Sequence, residues 1–343
     1  MSQGANPFFK KHFITVKGLS REDLEYLFAQ ANWMKTVVQM QNSTDQHTSQ
    51  RIECYHPLRG KLVGVLFFQP STRTSLSFTA AAVRLGAFTI KDSLMEFSSV
   101  AKGESFLDTI RAGFLTTQAS LLVIRHEDNL SSKLATEHID CPVINGGSGT
   151  GEHPTQALLD LYTIKDKKRR IDNLNVALVG DLRFGRTVKS LALLLATAGQ
   201  NNAFRFVSAP ELAFPKEFLD ELPAGTQYES LSSLHEVLEW ADVIYMTRTQ
   251  REYFEKNGIL EKYEQLRAAL VLTPDMAHQM RDDAIIMHPL PRLDELPTGV
   301  DADPHAMYFE QMSSGLYIRM ALMESILVQN PLSQEEVIGD TLT

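Results

Sequence analysis

Apolar residues in this chain fall into two alternating patterns, short continuous runs and stretches with helical spacing. Residues 62–68, Leu-Val-Gly-Val-Leu-Phe-Phe, form an unbroken apolar run of the kind a strand buried on both faces requires. Residues 75–85 follow as a helix, with Leu76, Ala80 and Val83 at helical spacing, and residues 120–124 make another buried strand. The alternation recurs with strands at 176–179, 204–208, 243–246 and 284–287 and helices expected at 187–198 and 231–240. Such alternation predicts an α/β fold, in which mainly parallel sheets are flanked by helices. Earlier in the chain, Ser20 is a candidate N-cap for an amphipathic helix over 21–38 that gathers Leu24, Leu27, Phe28 and Ala31 on one face. Residues 39–50, rich in Gln, Ser, Thr, Asn and His, read as an exposed loop. A long helix of mixed character closes the pattern near 307–328.

Length changes this picture from one sheet to two. A chain of 343 residues, at roughly 150 residues per domain, predicts two domains, with the boundary near a helix over 155–165. The count of 33 Lys plus Arg against 42 Asp plus Glu gives a net charge of −9, which repels nucleic acid and anionic lipid. An anion site must therefore be a local concentration of positive groups. The basic run at 165–170 invites a nucleic-acid reading, but a cationic helix C-terminus favoured by the macrodipole explains it more simply. Cys54 and Cys141 lack disulfide or zinc spacing, so both are expected as reduced thiols in the cytosol, with no metal and no cofactor. The N-terminal residues lack signal-peptide character, and runs such as 191–196 are too short to span a membrane.

The chemistry begins where the strand at 62–68 passes through Gln69 and Pro70 into Ser71, Thr72, Arg73 and Thr74 and then into a helix. Free backbone N–H groups and the helix dipole converge at that point, and three hydroxyls and a guanidinium add donors suited to a tetrahedral dianion. Capping by Ser or Thr would explain any one hydroxyl but leaves Arg73 unexplained. A Walker A lysine motif is absent, as is a dinucleotide glycine fingerprint; the glycines at 146, 147, 149 and 151 read only as a flexible turn. Five further segments put polar or cationic groups where strands should end, the ligand-facing edge of an open α/β sheet. They are residues 98–104, Arg125 with His126, residues 153–156 (His-Pro-Thr-Gln), Arg186 with residues 248–250 (Arg-Thr-Gln), and residues 288–292 (His-Pro-Leu-Pro-Arg).

In this order, and with residues 179–182 (Val-Gly-Asp-Leu) and 245–248 (Tyr-Met-Thr-Arg), these segments resemble the aspartate/ornithine carbamoyltransferase family over nearly the whole chain. Thr155 and Pro289 stand where the ornithine branch has Cys, so the resemblance is to the aspartate branch. Two cations, Arg186 and Arg248, agree with a second substrate bearing two carboxylates. The resemblance implies a carbamoyl-phosphate-binding domain over 1–153, on which a C-terminal helix at about 306–343 packs, and an aspartate-binding domain over 154–305. It implies transfer of the carbamoyl group of carbamoyl phosphate to the amino group of L-aspartate, an early step of pyrimidine synthesis.

By the same resemblance, Ser71, Thr72, Arg73, Thr74 and Arg125 hold the phosphate, while Thr74, Arg125 and His153 polarise the carbamoyl oxygen. Gln156 and the carbonyls of Pro289 and Leu290 take the carbamoyl amino group, and Arg186, Arg248 and Gln250 take the aspartate carboxylates. Ser98 and Lys102 match residues that reach into a neighbouring subunit's site, which implies a homotrimer with shared sites and makes Lys102 a further aspartate ligand. A separate regulatory chain joins some relatives, and the sequence leaves that open here. The departing phosphate is expected to accept the amine's proton, since no carboxylate in these motifs is an obvious base. Two departures stand out: Gln69 replaces a Glu usual in the family, and the loop over 37–51 is longer than in many relatives. The alternatives are a carbamoyltransferase for another amine and a catalytically silent homologue.

Overall fold

Every paired strand in the computed structural model, which describes residues 5–45, 52, 55–92, 103–256, 258, 260–268, 270–332 and 337, runs parallel to its neighbour. The chain divides into two compact units, Met1–Thr155 with Gly315–Thr343, and Gln156–Ser314.

The first unit holds β1 (Leu62–Phe67), β2 (Phe88–Asp92), β3 (Leu121–His126) and β4 (Val143–Ser148) in the order β2-β1-β3-β4. The chain leaves β1 for β2 on one side and returns to β3 on the other, so the connections diverge between β1 and β3. Among the described residues, α1 (Arg21–Gln41), α2 (Thr72–Arg84) and α3 (Phe106–Thr117) belong here, as does the later part, from Gly315, of a C-terminal helix. A capping box starts α1: the Ser20 hydroxyl accepts the Asp23 N–H, and Asp23 accepts the Ser20 N–H. The helix continues three residues past the expected end at 38. Gln41 donates to the Arg84 carbonyl at 3.2 Å and accepts from the Arg84 guanidinium at 2.8 Å, contacts that no local periodicity announces. Residues 46–50 of the expected loop lie outside the described residues.

Sequence predicted neither β2, an exposed edge strand, nor β4, and packing explains the second. Gly146 and Gly147, expected in a turn, lie within β4. A Cβ on Gly146 would stand 3.2 Å from the Ile124 carbonyl and 3.3 Å from the Phe67 ring, so the glycine permits close packing across strands.

The second unit holds β5 (Asn175–Val179), β6 (Ala203–Val207), β7 (Gln227–Leu231), β8 (Val243–Met246) and β9 (Ile285–Met287) in the order β7-β6-β5-β8-β9. Its connections diverge between β5 and β8. Most of α4 (Pro154–Lys168), all of α5 (Arg186–Ala198) and the start of α6 (Tyr308–Leu327) belong to it. The helix expected at 231–240 is absent. Leu231 ends β7, and a single 3-10 turn, Leu234–Glu236, follows. Leu234, Val237 and Leu238 still reach the core, so helical spacing arises there from a turn. Strand β7 has no apolar run to read because it is a mostly exposed edge strand.

The basic run at 165–170 is absorbed by ion pairs of this unit. Buried Lys168 lies 2.8 Å from Asp283 and 3.6 Å from Asp242, Arg170 is 3.0 Å from Asp242, and Lys167 pairs with Glu310. Among the described residues no helix is long and apolar enough to cross a membrane.

Candidate active site

In open parallel sheets, ligands bind beyond the strand ends where connections diverge. In the first unit that point lies between β1 and β3. Phe67 and Arg125 are register partners, and the Phe68 N–H donates to the Arg125 carbonyl at 2.8 Å. Arg125 therefore sits beside the chain that leads to Ser71. Ser71 is the N-cap of α2 in an extended conformation, yet its hydroxyl makes no capping hydrogen bond. Simple capping thus does not account for it. Thr72, Arg73 and Thr74 form the first turn, where backbone N–H groups lack intrahelical acceptors. Thr74 is buried, Ser71 half-buried, and Thr72 and Arg73 exposed. A cationic, hydroxyl-rich helix N-terminus of this kind suits a tetrahedral anion.

The segment after β4 is pinned before it reaches His153. Buried Asn145 accepts the Gly147 N–H at 2.8 Å and donates to Ser148 Oγ and the Ile14 carbonyl, while Glu152 accepts from the Thr15 hydroxyl at 2.7 Å. Arg125 donates to the Gly146 carbonyl at 3.3 Å, and His153 follows, only 3% exposed, ahead of Pro154. His126 packs between Phe68 and Phe106, with ring centroids 5.2 and 4.8 Å away, and burial lowers its pKa. Its Nδ1 accepts the Asp128 N–H at 2.9 Å, so the ring braces the turn that follows β3. Ser98 and Lys102 lie outside the described residues.

In the second unit the corresponding point lies between β5 and β8. Gly180 has φ +111°, and a Cβ there would stand 2.4 Å from the Thr247 carbonyl. Only glycine lets the two strand ends approach so closely. The Thr247 hydroxyl donates to the Val179 carbonyl at 3.0 Å, reinforcing the approach. Beside it, fully buried Asp181 accepts the N–H groups of Phe184 at 2.9 Å and Gln250 at 3.4 Å. Burial pushes the Asp181 carboxyl up to about 6, against the pull of those N–H groups and of Lys189 and Arg248. Arg186 opens α5, Arg248 follows β8, and both are half-buried, as is Gln250. Two guanidiniums so placed concentrate positive charge in a chain of net charge −9.

Pro289 and Leu290 follow β9 in the same unit. Leu290 has φ +53°, an uncommon conformation for a branched side chain, and its N–H donates to His288 Nδ1 at 2.8 Å. With Nδ1 accepting, Nε2 carries the ring proton and donates to Glu295 at 3.0 Å. Burial alone would raise the Glu295 pKa, but the bonds from His288 and the Leu293 N–H bring it below its ordinary value. Gln156, on α4, donates to buried Asp160 at 2.9 Å.

The first unit thus assembles Ser71, Thr72, Arg73, Thr74, Arg125 and His153, and the second Gln156, Arg186, Arg248, Gln250, Pro289 and Leu290. Sequence reasoning missed the groups behind them, namely Asp160, the carboxyl role of Asp181, Glu295, and Gln311, whose amide oxygen accepts the His288 N–H at 3.0 Å. Only Asp160 had a signal, its i,i+4 spacing from Gln156 on a helix.

Comparison with known proteins adds to this geometry. Residues 11–166 match the family described as aspartate/ornithine carbamoyltransferase, carbamoyl-P binding domain, and residues 172–326 match its Asp/Orn binding domain. The aspartate carbamoyltransferase catalytic subunit of Methanobrevibacter smithii is 40% identical over 325 residues, covering 94% of this chain and 97% of that one. The chloroplastic aspartate carbamoyltransferase of Arabidopsis thaliana is 46% identical over 274 residues, 79% of this chain and 69% of that one. Aspartate transcarbamoylase of Trypanosoma cruzi, solved with carbamoyl phosphate and aspartate, superimposes with a TM-score of 0.85 at 34% identity, covering 94% of this chain and 99% of that one.

Proposed function

The chain belongs to the aspartate/ornithine carbamoyltransferase family, and from that premise we propose that it transfers the carbamoyl group of carbamoyl phosphate to the amino group of L-aspartate. The aspartate nitrogen attacks the carbamoyl carbon, the carbon–oxygen bond to phosphate breaks, and N-carbamoyl-L-aspartate and phosphate leave. The observation that carries this reading is the placement, at the ligand-facing edge of each sheet, of the groups its substrate needs: the α2 N-terminus with Arg73 and Arg125 for a phosphate, Arg186 and Arg248 for two carboxylates.

Within that reaction, Ser71, Thr72, Arg73, Thr74 and Arg125 bind phosphate. Thr74, Arg125 and His153 stabilise the oxyanion that develops on the carbamoyl oxygen. Gln156 and the carbonyls of Pro289 and Leu290 orient the carbamoyl amino group, and Arg186, Arg248, Gln250 and Lys102 bind aspartate. The departing phosphate takes the amine's proton. Loss of turnover in His153→Gln with carbamoyl phosphate affinity intact would return that role to His153. The domain limits assigned to these tasks are 1–153 with 306–343 for carbamoyl phosphate and 154–305 for aspartate. The primary test is formation of N-carbamoylaspartate by the pure chain, with ornithine and other amines as controls. Product from ornithine but none from aspartate overturns the assignment.

The working enzyme is a cytosolic homotrimer with shared sites. Apolar side chains exposed in the first unit support association: Leu76 and Val83 on α2, and Phe88 and Ile90 on the edge strand β2. Mixing an inactive chain carrying Ser98→Ala and Lys102→Gln with an inactive Arg73→Ala chain should restore part of the activity. A mixture as dead as its components removes the shared-site proposal.

A further inference from the structure

The second unit contains a buried polar network that reaches two of the three groups assigned to the carbamoyl amino group, Gln156 and Leu290, with Pro289 between Leu290 and His288 in the chain. At its centre is Asp160, fully buried on α4, whose two oxygens accept three hydrogen bonds. Gln156 Nε2 donates at 2.9 Å and Gln311 Nε2 at 2.6 Å, both to Oδ1, and the Tyr245 hydroxyl donates to Oδ2 at 2.7 Å. Burial, together with the nearby Asp160, raises the Tyr245 pKa well above its ordinary value, so the phenol remains a donor. Gln311 is fully buried as well, and its amide oxygen accepts the His288 N–H at 3.0 Å. From His288 the network passes to Leu290, whose N–H meets the imidazole, and to Glu295.

This connectivity fixes the sense of each amide. An oxygen of Asp160 faces Gln156, so only the NH2 end of that amide can turn toward it, and the amide oxygen is left as an acceptor. Gln311 bonds to Asp160 through its NH2 and to His288 through its oxygen, so its orientation is determined at both ends. The Pro289 and Leu290 carbonyls receive no hydrogen bond from a described residue. The result is three acceptors, Gln156 Oε1 and two backbone carbonyls, coupled through buried atoms of one unit.

We propose that Asp160 and Gln311 are positioning residues that lock Gln156 and the Pro289–Leu290 backbone into an acceptor-only set, selecting an acyl phosphate that carries an NH2 group over one that carries a methyl. A methyl leaves those acceptors desolvated and unpaired, whereas an NH2 supplies two donors. The inference rests on the carbamoyl phosphate reading above and adds the source of its selectivity. Tyr245 shares the task by holding the other Asp160 oxygen.

The test compares affinities of the full-length chain for carbamoyl phosphate, acetyl phosphate and inorganic phosphate by titration calorimetry. Wild type should prefer carbamoyl over acetyl phosphate by about tenfold or more, as expected for a lost buried hydrogen bond. In Asp160→Ala that preference should shrink toward unity while affinity for acetyl phosphate and phosphate stays within about twofold, because those ligands do not use the acceptors. Gln311→Met should shift the preference the same way, keeps the Gln156 and Tyr245 donors on Asp160, and carries the test if Asp160→Ala does not fold. Asp160→Asn should recover most of the preference, since one amide oxygen can still accept from both glutamines. Folded variants that keep the wild-type preference overturn the inference alone. A wild-type chain with no preference overturns the carbamoyl phosphate reading and this inference with it.

Discussion

The two units build their proposed anion-binding edges by different means. In the first, four successive residues, Ser71 to Thr74, turn from strand end to helix and bring hydroxyls, a guanidinium and backbone N–H groups to one place, with Arg125 added from the adjacent strand. In the second, the groups come from separate segments around residues 156, 186, 248 and 289, with buried partners behind them: Asp160 behind Gln156, Asp181 behind Gln250, and His288 behind Leu290. The ligands proposed for them explain the contrast. A phosphate presents equivalent oxygens in a tetrahedron, which the first turn of a helix can meet almost unaided. A planar amino group and two carboxylates at fixed separation need acceptors and cations from several directions, and only tertiary structure supplies those.

If that division holds, removing a phosphate-side cation should have the largest effect. Arg125→Ala should lower kcat/KM by about 10²–10³-fold, because in the proposed reaction its guanidinium serves both the phosphate and the developing oxyanion. Steady-state kinetics at saturating aspartate measures this, and a change below about threefold would remove Arg125 from the reacting group. Arg186→Ala should act more narrowly, raising KM for aspartate by about ten- to thirtyfold through one lost charge-assisted contact. The KM for carbamoyl phosphate should not move. Equal increases in both constants would break the division of labour between the units.

The same contrast explains what was legible in the sequence. The phosphate motif could be read because it is contiguous and lies between a clear apolar run and a clear helix. Arg186, Arg248 and residues 288–292 were marked only as cations and polar groups at strand ends. The groups that brace these segments, Asp181 at the Gln250 N–H and Gln311 and Glu295 at His288, approach through folding and leave no local spacing to recognise. The fold shows the same limit. Strands with an unbroken apolar run were found, whereas β2 and β7 were missed because exposed edge strands lack such a run, and β4, though buried, because two glycines inside it looked like a turn. The helix expected at 231–240 failed because Leu234, Val237 and Leu238 reach the core from a 3-10 turn with spacing a helix would also give.

Two buried carboxyls sharpen the comparison where turnover should change least. Asp181, at about 6, is held by two N–H donors and neighbouring cations, and its position serves the Gln250 loop. Glu324, on the part of α6 in the first unit, accepts only from the Tyr55 hydroxyl, at 2.5 Å, among its described hydrogen bonds. Burial pushes it from 4.5 to about 7, with that hydroxyl pulling weakly the other way. Nothing in the proposed reaction uses it. Because its pKa is higher in the folded than in the unfolded chain, the native state holds the proton more tightly. Its stabilising contribution is complete below about pH 4.5 and is lost as pH rises toward 7. At roughly 1.4 kcal/mol per pKa unit, the loss is about 3 kcal/mol by pH 8. Glu324→Gln keeps an acceptor for Tyr55 but removes the charge, so scanning calorimetry should find its Tm close to wild type at pH 5 and several degrees higher at pH 8, with kcat unchanged. The same Tm difference between pH 5 and pH 8 in both proteins would show that Glu324 does not titrate with folding, whereas a loss of kcat would bring this carboxyl into the chemistry from which its position in the fold now separates it.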